Sequence, residues 1–319
     1  MKAFITDYID NPYIEEKILG DSLTLNPNDP DITSLLVWHQ KINSNYISKF
    51  PNLKFVCRYG VGFDQIDLKL LEQKNIIFSN TPDYGVDEVS DTALAFLLSY
   101  SRGIFKYNEY SKAYKNNSWQ ENTISELKRA SSLKVGVIGA GRIGGRFSIK
   151  SRQLGFDVQI YDPYKPSGHE KLLGVSRISN INELLSSSDI ISIHCPLTKE
   201  TRGLINKEFI SNIKRGAYLI NTARGEILDS LDTLDSALSE GILSAVALDV
   251  LPEEPPNKNS SLIKNWIKNN YNSRVIINPH SSYYSKESYV EMRVKASHNV
   301  LNFLKGIKPI NQITSGDLF

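Results

Sequence analysis

The sequence predicts an α/β protein built as two doubly wound parallel-sheet domains, and three observations carry that prediction. Short apolar runs alternate with helix-period stretches along the whole chain. One such run, Val135-Gly136-Val137-Ile138, leads straight into Gly139-Ala140-Gly141-Arg142-Ile143-Gly144, a Gly-x-Gly-x-x-Gly turn that opens a helix. From that run onward six apolar strands are separated by crossover helices, the pattern of a doubly wound sheet.

The first hundred residues place strands at Ala3–Ile5, Leu23–Leu25, Leu35–Trp38, Leu53–Cys57 and Ile76–Phe78. Helical stretches such as Asn43–Phe50 and Asp67–Gln73 lie between them, so a small parallel sheet is expected. A longer helix over Val86–Tyr100 follows, with Ala93, Leu94, Leu97 and Leu98 at helical spacing, and then a polar arm, Ile104–Arg129. The second sheet takes Lys134–Ile138, Val158–Tyr161, Ile190–His194, Ala217–Ile220, Ser244–Leu248 and Val275–Ile277, with helices at Asn182–Ser187, Asn206–Asn212 and Ser230–Glu240. The Asn- and Lys-rich stretch Pro256–Ser273 reads as a surface insertion. A last amphipathic helix, Lys286–Lys305, is stopped by Gly306 and Pro309 and is expected to return to the first domain.

Composition narrows the class. The chain of 319 residues is 40% hydrophobic, enough for two cores, and its net charge of +2 comes without any block of like charge. Nothing argues for a nucleic-acid surface. Cys57 and Cys195 both lie in apolar runs and read as reduced thiols of a cytoplasmic protein. Met1–Thr6 reads as a strand rather than a signal peptide, and no apolar run reaches membrane-spanning length. No metal-ligand spacing stands out, so no metal is expected.

The glycine turn carries a specific chemistry. Gly139 lets the chain turn sharply as it leaves the strand, Gly141 lets a pyrophosphate approach the backbone, and Gly144 lets the helix pack close. The helix start then offers N–H groups and the positive end of its dipole to an anion. The next strand ends at Asp162, 18 positions beyond Gly144, near the spacing at which an acid reaches the adenosine ribose hydroxyls. An NAD-type dinucleotide is the expected cofactor.

Three strand ends bring polar groups to the same sheet: Asn221-Thr222-Ala223-Arg224-Gly225-Glu226, Asp249-Val250-Leu251-Pro252-Glu253-Glu254-Pro255, and Asn278-Pro279-His280-Ser281-Ser282. Singly, each has a structural alternative. Arg224 could cap a helix or pair with Glu226, Glu254 could be one of two solvated acids, and His280 could bond a carbonyl. Together, beside a dinucleotide, they suggest hydride transfer to a 2-oxo acid. Arginine binds and polarises the substrate, histidine supplies the proton, and the carboxylate favours the imidazolium and orients its ring.

The chain resembles the D-isomer-specific 2-hydroxyacid dehydrogenases almost end to end. The matching stretches are Gly60-Val61-Gly62-Phe63-Asp64-Gln65-Ile66-Asp67, Asn80-Thr81-Pro82, Gly139–Gly144, His194-Cys195-Pro196-Leu197-Thr198, Thr201-Arg202-Gly203-Leu204-Ile205-Asn206, Asn221–Gly225, Ala247–Val250, Glu254-Pro255 and Pro279-His280. The resemblance implies that Arg224, Glu254 and His280 are the catalytic set. It implies that Val61 and Gly62 bind the substrate carboxylate through their N–H groups. Arg142 and Ile143 would flank the pyrophosphate and Asp162 the ribose, while Cys195, Pro196 and Thr201 would line the adenine side. Thr222 and Ala223 would lie beside the nicotinamide, and Asp249 would hold its carboxamide.

Within that family the chain looks most similar to the C-terminal-binding-protein subgroup, the animal corepressors and their bacterial dehydrogenase relatives. Tyr161-Asp162-Pro163-Tyr164, Tyr284-Ser285-Lys286-Glu287, Glu291-Met292-Arg293 and Arg58 before the glycine loop carry that likeness. Arg58 would face the substrate; its alternative is a pair with Asp64 or Asp67. Where the subgroup often has a tryptophan three residues after the histidine, this chain has Tyr283, which keeps an aromatic wall at the substrate. The sequence ends at Phe319 without the corepressors' long tail.

The reading that follows is an NAD-dependent oxidoreductase interconverting a 2-oxo acid and a D-2-hydroxy acid. A flavodoxin-like lid, residues 1–100 and 287–319, would bind the substrate, and a Rossmann domain, residues 101–286, would bind NAD. The substrate would lie in the cleft between them. The resemblance implies a cytoplasmic homodimer, with the Ile104–Arg129 arm, including Trp119, reaching the partner; no nucleic-acid or membrane partner is expected. The rival reading is an NAD(H)-sensing interaction module of the corepressor type.

Overall fold

The computed structural model describes residues 1–7, 9–113, 119 and 123–317. The chain divides into two compact units, Met1–Gly85 with Tyr284–Phe319, and Val86–Tyr283. Each is built on one parallel sheet.

The first unit contains β1 (Lys2–Ile5), β2 (Leu23–Thr24), β3 (Ile32–Val37), β4 (Phe55–Arg58) and β5 (Ile77–Ser79), all parallel in the order β2-β1-β3-β4-β5. That is the flavodoxin-like order. β3 is buried at all six positions, as a central strand covered on both faces must be. It starts three residues earlier than expected because Thr33 and Ser34, polar in sequence, are inside the sheet. Asn43 and Asp67 cap the helices that follow them, accepting from Tyr46 N at 3.0 Å and Leu70 N at 3.1 Å.

The last helix, Lys286–Leu304, belongs to this unit and is entered through a capping box between Ser285 and Ser288. It is fastened to the helix Tyr13–Leu19 by a buried ion pair. Arg293 Nη2 and Nε donate to Glu15 Oε2 at 2.5 Å and Oε1 at 2.9 Å, and the Tyr59 hydroxyl donates to Oε1 at 2.9 Å. Arg293 also donates to Asn11 O at 2.7 Å. Glu15 is 0% and Arg293 3% exposed, so both charges have exchanged water for these partners.

The second unit contains β6 (Lys134–Ile138), β7 (Asp157–Tyr161), β8 (Ser176–Arg177), β9 (Ile190–Ile193), β10 (Ala217–Asn221), β11 (Leu243–Leu248) and β12 (Val275–Ile277). They form one parallel sheet in the order β12-β11-β10-β9-β6-β7-β8. β8 is a seventh strand that the sequence did not announce, since two polar residues at a sheet edge carry no periodicity. Pro256–Ser273 is also more than a surface insertion: it contains the helix Ser261–Ile267, which buries Leu262 and Ile263. The arm begins as a helix, Ile104–Lys112, that buries none of its residues. Residues 114–118 and 120–122 of the arm lie outside the described residues.

The helix Val86–Ser101 places Ala93, Phe96, Leu97 and Tyr100 in one core with Val135, Val137, Phe147 and Ile220. Tyr100 also donates through its hydroxyl to Val246 O. This packing puts the unit boundary at Gly85 rather than at residue 100.

The buried pair makes a quantitative test. Glu15→Gln or Arg293→Met should each lower unfolding stability by about 3–5 kcal/mol, because the remaining polar partner is stranded in the core. Replacing both with leucine should cost less than either single change. Urea unfolding of the three variants checks this, and additive losses would show that the two groups act independently.

Candidate active site

The order of the second sheet reverses at β6, which lies between β7 and β9, and ligands of open α/β sheets bind at such a point beyond the carboxyl ends of the strands. The chain leaves β6 at Gly139 with φ +91°. A Cβ there would stand 2.5 Å from Cys195 N at the end of the neighbouring β9, and a Cβ on Gly144 would stand 1.9 Å from Gly139 O. Both glycines are required by packing alone. Gly141 differs: a Cβ there would meet nothing within 4 Å, so the absent side chain leaves open space. The helix Arg142–Gln153 starts at this open point with no side-chain cap and no acid in its first turn. Its leading N–H groups, around Arg142 and Ile143, are left for an external anion.

Asp162, half-buried after β7, is joined to the same turn. Its Oδ2 accepts from Ala140 N at 2.8 Å and its Oδ1 from Tyr164 N at 3.0 Å. Arg177 on β8 holds this segment from below, donating to Asp162 O, Lys165 O and Pro166 O at 2.9–3.1 Å. After β9, Cys195 is buried, and burial pushes its thiol up to about 12, which leaves it unreactive. The next loop is tied to itself: Thr201 Oγ1 donates to Pro196 O at 2.6 Å and accepts from Thr198 N at 2.8 Å. His194, beneath the glycine turn, is pushed down to about 3 by burial and is a neutral spacer 5.0 Å from the Phe147 ring.

The three expected strand ends converge within this unit. After β10 the chain wraps around the Asn221 side chain, which donates to Arg224 O at 3.0 Å and accepts from Ala223 N at 3.0 Å. Arg224, half-buried, donates through Nη1 to Ala223 O at 2.8 Å. Glu226 pairs with Arg202 at 2.8 Å. A Cβ on Gly225 would lie 1.9 Å from Leu251 O, so the turns after β10 and β11 touch backbone to backbone.

Asp249, 1% exposed after β11, donates through its N–H to Asn221 O at 2.9 Å and accepts at its carbonyl from His280 N at 2.8 Å. Its carboxylate accepts from Ser281 N at 3.0 Å and, through both oxygens, from Ser282 N at 3.2 and 3.1 Å. These bonds hold His280 at φ +52°, a conformation that side chains other than glycine rarely adopt.

Glu254 accepts from Leu251 N at Oε1, 2.8 Å, and meets His280 Nδ1 at Oε2, 2.7 Å. Burial alone would raise the Glu254 pKa. The hydrogen bond and charge of His280, the Leu251 N–H and the charge of Arg224 outweigh it and hold the carboxyl below its ordinary value. The group is therefore a carboxylate at neutral pH. Any stability it lends is present above the ordinary carboxylate pKa and is lost as pH falls through the lowered value. Accepting from Nδ1–H fixes the tautomer and leaves Nε2 as the exchanging atom. Of the two acids in the sequence, Glu254 and not Glu253 is the partner.

In the first unit, Arg58 ends β4 and donates through Nη1 to Tyr59 O at 2.7 Å. The loop after it is clamped by Thr81, whose hydroxyl accepts from Gly60 N at 2.6 Å, and by Asn80, which donates to Val61 O at 2.7 Å. Among the described residues the N–H groups of Val61 and Gly62 have no partner, so the loop offers two adjacent donors of the kind a carboxylate accepts. Tyr283, half-buried, is the last residue of the second unit.

A family model described as D-isomer specific 2-hydroxyacid dehydrogenase, NAD binding domain, matches residues 94–282, more than half of the chain. The chain belongs to this family. Its second unit holds that NAD-binding domain. It is similar to glyoxylate reductase of Thermofilum pendens, 34% identical over 91% of this chain and 83% of that protein. It is also similar to C-terminal-binding protein 1 of Caenorhabditis elegans, 30% identical over 93% of this chain and 39% of that protein. The chain spans only 49% and 39% of the length of two curated relatives it matches. Among solved structures, D-lactate dehydrogenase of Aquifex aeolicus, complexed with NAD and lactic acid, has a TM-score of 0.81 at 31% identity, covering 96% of both chains.

The residues present fit the dinucleotide: the packed Gly139 and Gly144, the open space at Gly141, the uncapped helix start and the acid at Asp162 all suit it. Sequence reasoning passed over Asn221, Arg177 and His194 as individual residues. Only Asn221 left a signal, an amide immediately after a buried strand, where it caps its own turn.

The glycines separate packing from binding. Gly144→Ala should lower the melting temperature, since its Cβ meets backbone. Gly141→Ala should leave the melting temperature unchanged and raise the Kd for NADH at least tenfold. Thermal unfolding and fluorescence titration of both variants check this; NADH affinity retained in Gly141→Ala would remove the pyrophosphate from that turn.

Proposed function

We propose that the chain is an NAD-dependent oxidoreductase that interconverts a 2-oxo acid and a D-2-hydroxy acid, with His280 as acid and base. One observation carries the reading: the 2.7 Å contact of Glu254 Oε2 with His280 Nδ1, beside the charge of Arg224. NADH, when bound, supplies the hydride that reduces C2 of the oxo acid. His280 Nε2 gives its proton to the carbonyl oxygen, so the C=O bond becomes CH–OH with charge conserved, and the reverse reaction returns that proton to the ring. Glu254 favours the imidazolium before transfer and keeps the ring oriented afterwards. Arg224 holds the substrate carboxylate and polarises the carbonyl. Val61 and Gly62 are assigned to the substrate carboxylate, and Arg58 and Tyr283 to the substrate. Gly139, Gly141, Gly144, Arg142, Ile143, Asp162, Cys195, Pro196, Thr201, Thr222, Ala223 and Asp249 are assigned to the cofactor side.

The assembly assigned to the chain is a cytoplasmic homodimer formed through the NAD-binding unit, with the arm reaching the partner. The exposure of Ile104, Phe105 and Tyr110 on the helix Ile104–Lys112 supports it. Likeness to the C-terminal-binding-protein subgroup supports placement beside it.

The deciding experiment is NADH oxidation with a panel of 2-oxo acids. Turnover on one or more is expected; tight NADH binding without turnover on any would favour the sensing module. Against a turned-over substrate, His280→Gln should lower kcat by about 10²–10⁴-fold while NADH still binds. Glu254→Gln should move the alkaline limb of the reduction profile to lower pH, since the imidazolium loses its carboxylate. A profile identical to wild type would make Glu254 a bystander.

Asp162 should accept hydrogen bonds from the ribose hydroxyls of NAD and repel the added phosphate of NADP. The wild type should therefore prefer NADH, and Asp162→Ala should narrow the gap in kcat/KM. Equal wild-type efficiency with NADPH would remove Asp162 from this role.

A further inference from the structure

Behind the loop that carries Val61 and Gly62, the first unit holds a second set of bonds that starts from Asn299. Asn299 lies on the last helix, Lys286–Leu304, and is 2% exposed. Its side chain clamps Ile310, donating from Nδ2 to Ile310 O at 2.9 Å and accepting at Oδ1 from Ile310 N at 2.8 Å. The same Nδ2 donates to Ser79 Oγ on β5 at 2.7 Å. Both amide hydrogens and the amide oxygen are therefore engaged. β5 is the edge of its sheet, and an edge strand presents a row of backbone groups in need of partners. Residues 311–313 cover that edge as a short antiparallel strap. Ser79 faces Gln312, Ile313 N donates to Phe78 O at 3.1 Å, and Asn80 N donates to Asn311 O at 3.4 Å.

The strap leads to the loop through two consecutive residues. Thr81 N donates to Gly60 O at 3.2 Å, and Asn80 Nδ2 donates to Val61 O at 2.7 Å. Each of these carbonyls shares a planar peptide with one of the loop's two donors, Gly60 O with Val61 N–H and Val61 O with Gly62 N–H. Both peptides are trans, so each N–H points away from its own anchored carbonyl. Fixing the two oxygens therefore aims the two donors. We propose that Asn299 is a positioning residue for this loop. It fastens the strap to β5, the strap fixes Asn80 and Thr81, and these aim the Val61 and Gly62 N–H groups at an incoming carboxylate. The inference rests on the assignment of the loop to the substrate carboxylate and adds the brace behind it. A hydrogen bond weakens steeply as its donor turns off line, so a loop free to rotate would hold the carboxylate less tightly. Donors already fixed lose no freedom when the anion binds.

Three variants separate the links. Asn80→Ala releases Val61 O directly, Asn299→Ala releases the strap from the helix, and Ile313→Pro removes the N–H that pairs the strap with β5. Each is assayed with a 2-oxo acid that the wild type reduces, for KM, kcat and the Ki of oxamate, an unreactive isostere with the same carboxylate. The Kd for NADH and the melting temperature are measured beside them. Asn299→Ala and Ile313→Pro should raise KM and the oxamate Ki about fivefold, as expected for the loss of one neutral hydrogen bond, and leave kcat and the NADH Kd within about twofold of wild type. Ile313→Pro leaves the buried helix untouched and decides the matter if Asn299→Ala does not fold. A lowered melting temperature with KM and Ki unmoved makes Asn299 structural and overturns its positioning role. If Asn80→Ala raises KM and Ki while the other two variants do not, the loop keeps its assignment and the brace alone falls. If Asn80→Ala leaves them unmoved as well, the loop assignment falls too. A wild type that reduces no 2-oxo acid overturns the reaction and the proposal together.

Discussion

The second unit depends on two short polar side chains that terminate its central strands. A parallel sheet delivers several strand ends to one side, each with backbone groups that have run out of ladder partners. Asn221 closes the turn after β10 around its amide, and Asp249 gathers the turn after β12 with its carboxylate. The Asp249 backbone links the two, donating to Asn221 and accepting from His280. Arg224, Glu254 and His280 are thus held by main-chain geometry before any of them touches the others. Preorganisation of this kind is what lets a proton donor and an anion-binding arginine act without reorganising at the moment of reaction.

Electrostatically, the unit sorts its charges by location. The start of the helix Arg142–Gln153 is kept clear of acids, while the one carboxylate at the glycine turn, Asp162, stands beside it on the next strand. A ligand with a negative middle and a neutral hydroxyl-bearing end matches that layout. At the other end of the sheet, Glu254 is kept ionised by its neighbours despite burial, whereas His194 is kept neutral by burial alone. Two histidines at strand ends thereby stand in different company, His280 against a carboxylate and His194 sealed beneath the glycine turn.

Most of the fold was legible because parallel strands buried on both faces leave dense apolar runs. β6 and β12 match their predicted limits, and the helix Lys286–Leu304 differs by one residue. What stayed hidden was short or polar. β8 has two residues, β3 carries buried Thr33 and Ser34 at its second and third positions, and the helix Ser261–Ile267 hides its apolar Leu262 and Ile263 among asparagines and lysines. Around the site, Arg224, Glu254 and His280 were legible because rare side chains stand just after strands. Asn299 was not, since nothing in an asparagine's place within a helix reveals which segment its amide fastens. The choice of Glu254 over Glu253 likewise needed the geometry of the turn.

The pair between Glu15 and Arg293 joins residues 278 positions apart, and it lies in a unit made from both ends of the chain. The other unit is one continuous segment. During synthesis, therefore, the continuous segment has every contact it needs before the last helix leaves the ribosome, while the discontinuous one must wait with all five strands made but that helix still missing. Folding the middle first also shortens the effective tether between the ends and reduces the entropy of closing them. The nascent chain would pass through a stage with one finished unit and one exposed apolar sheet, the period in which chaperones would engage it.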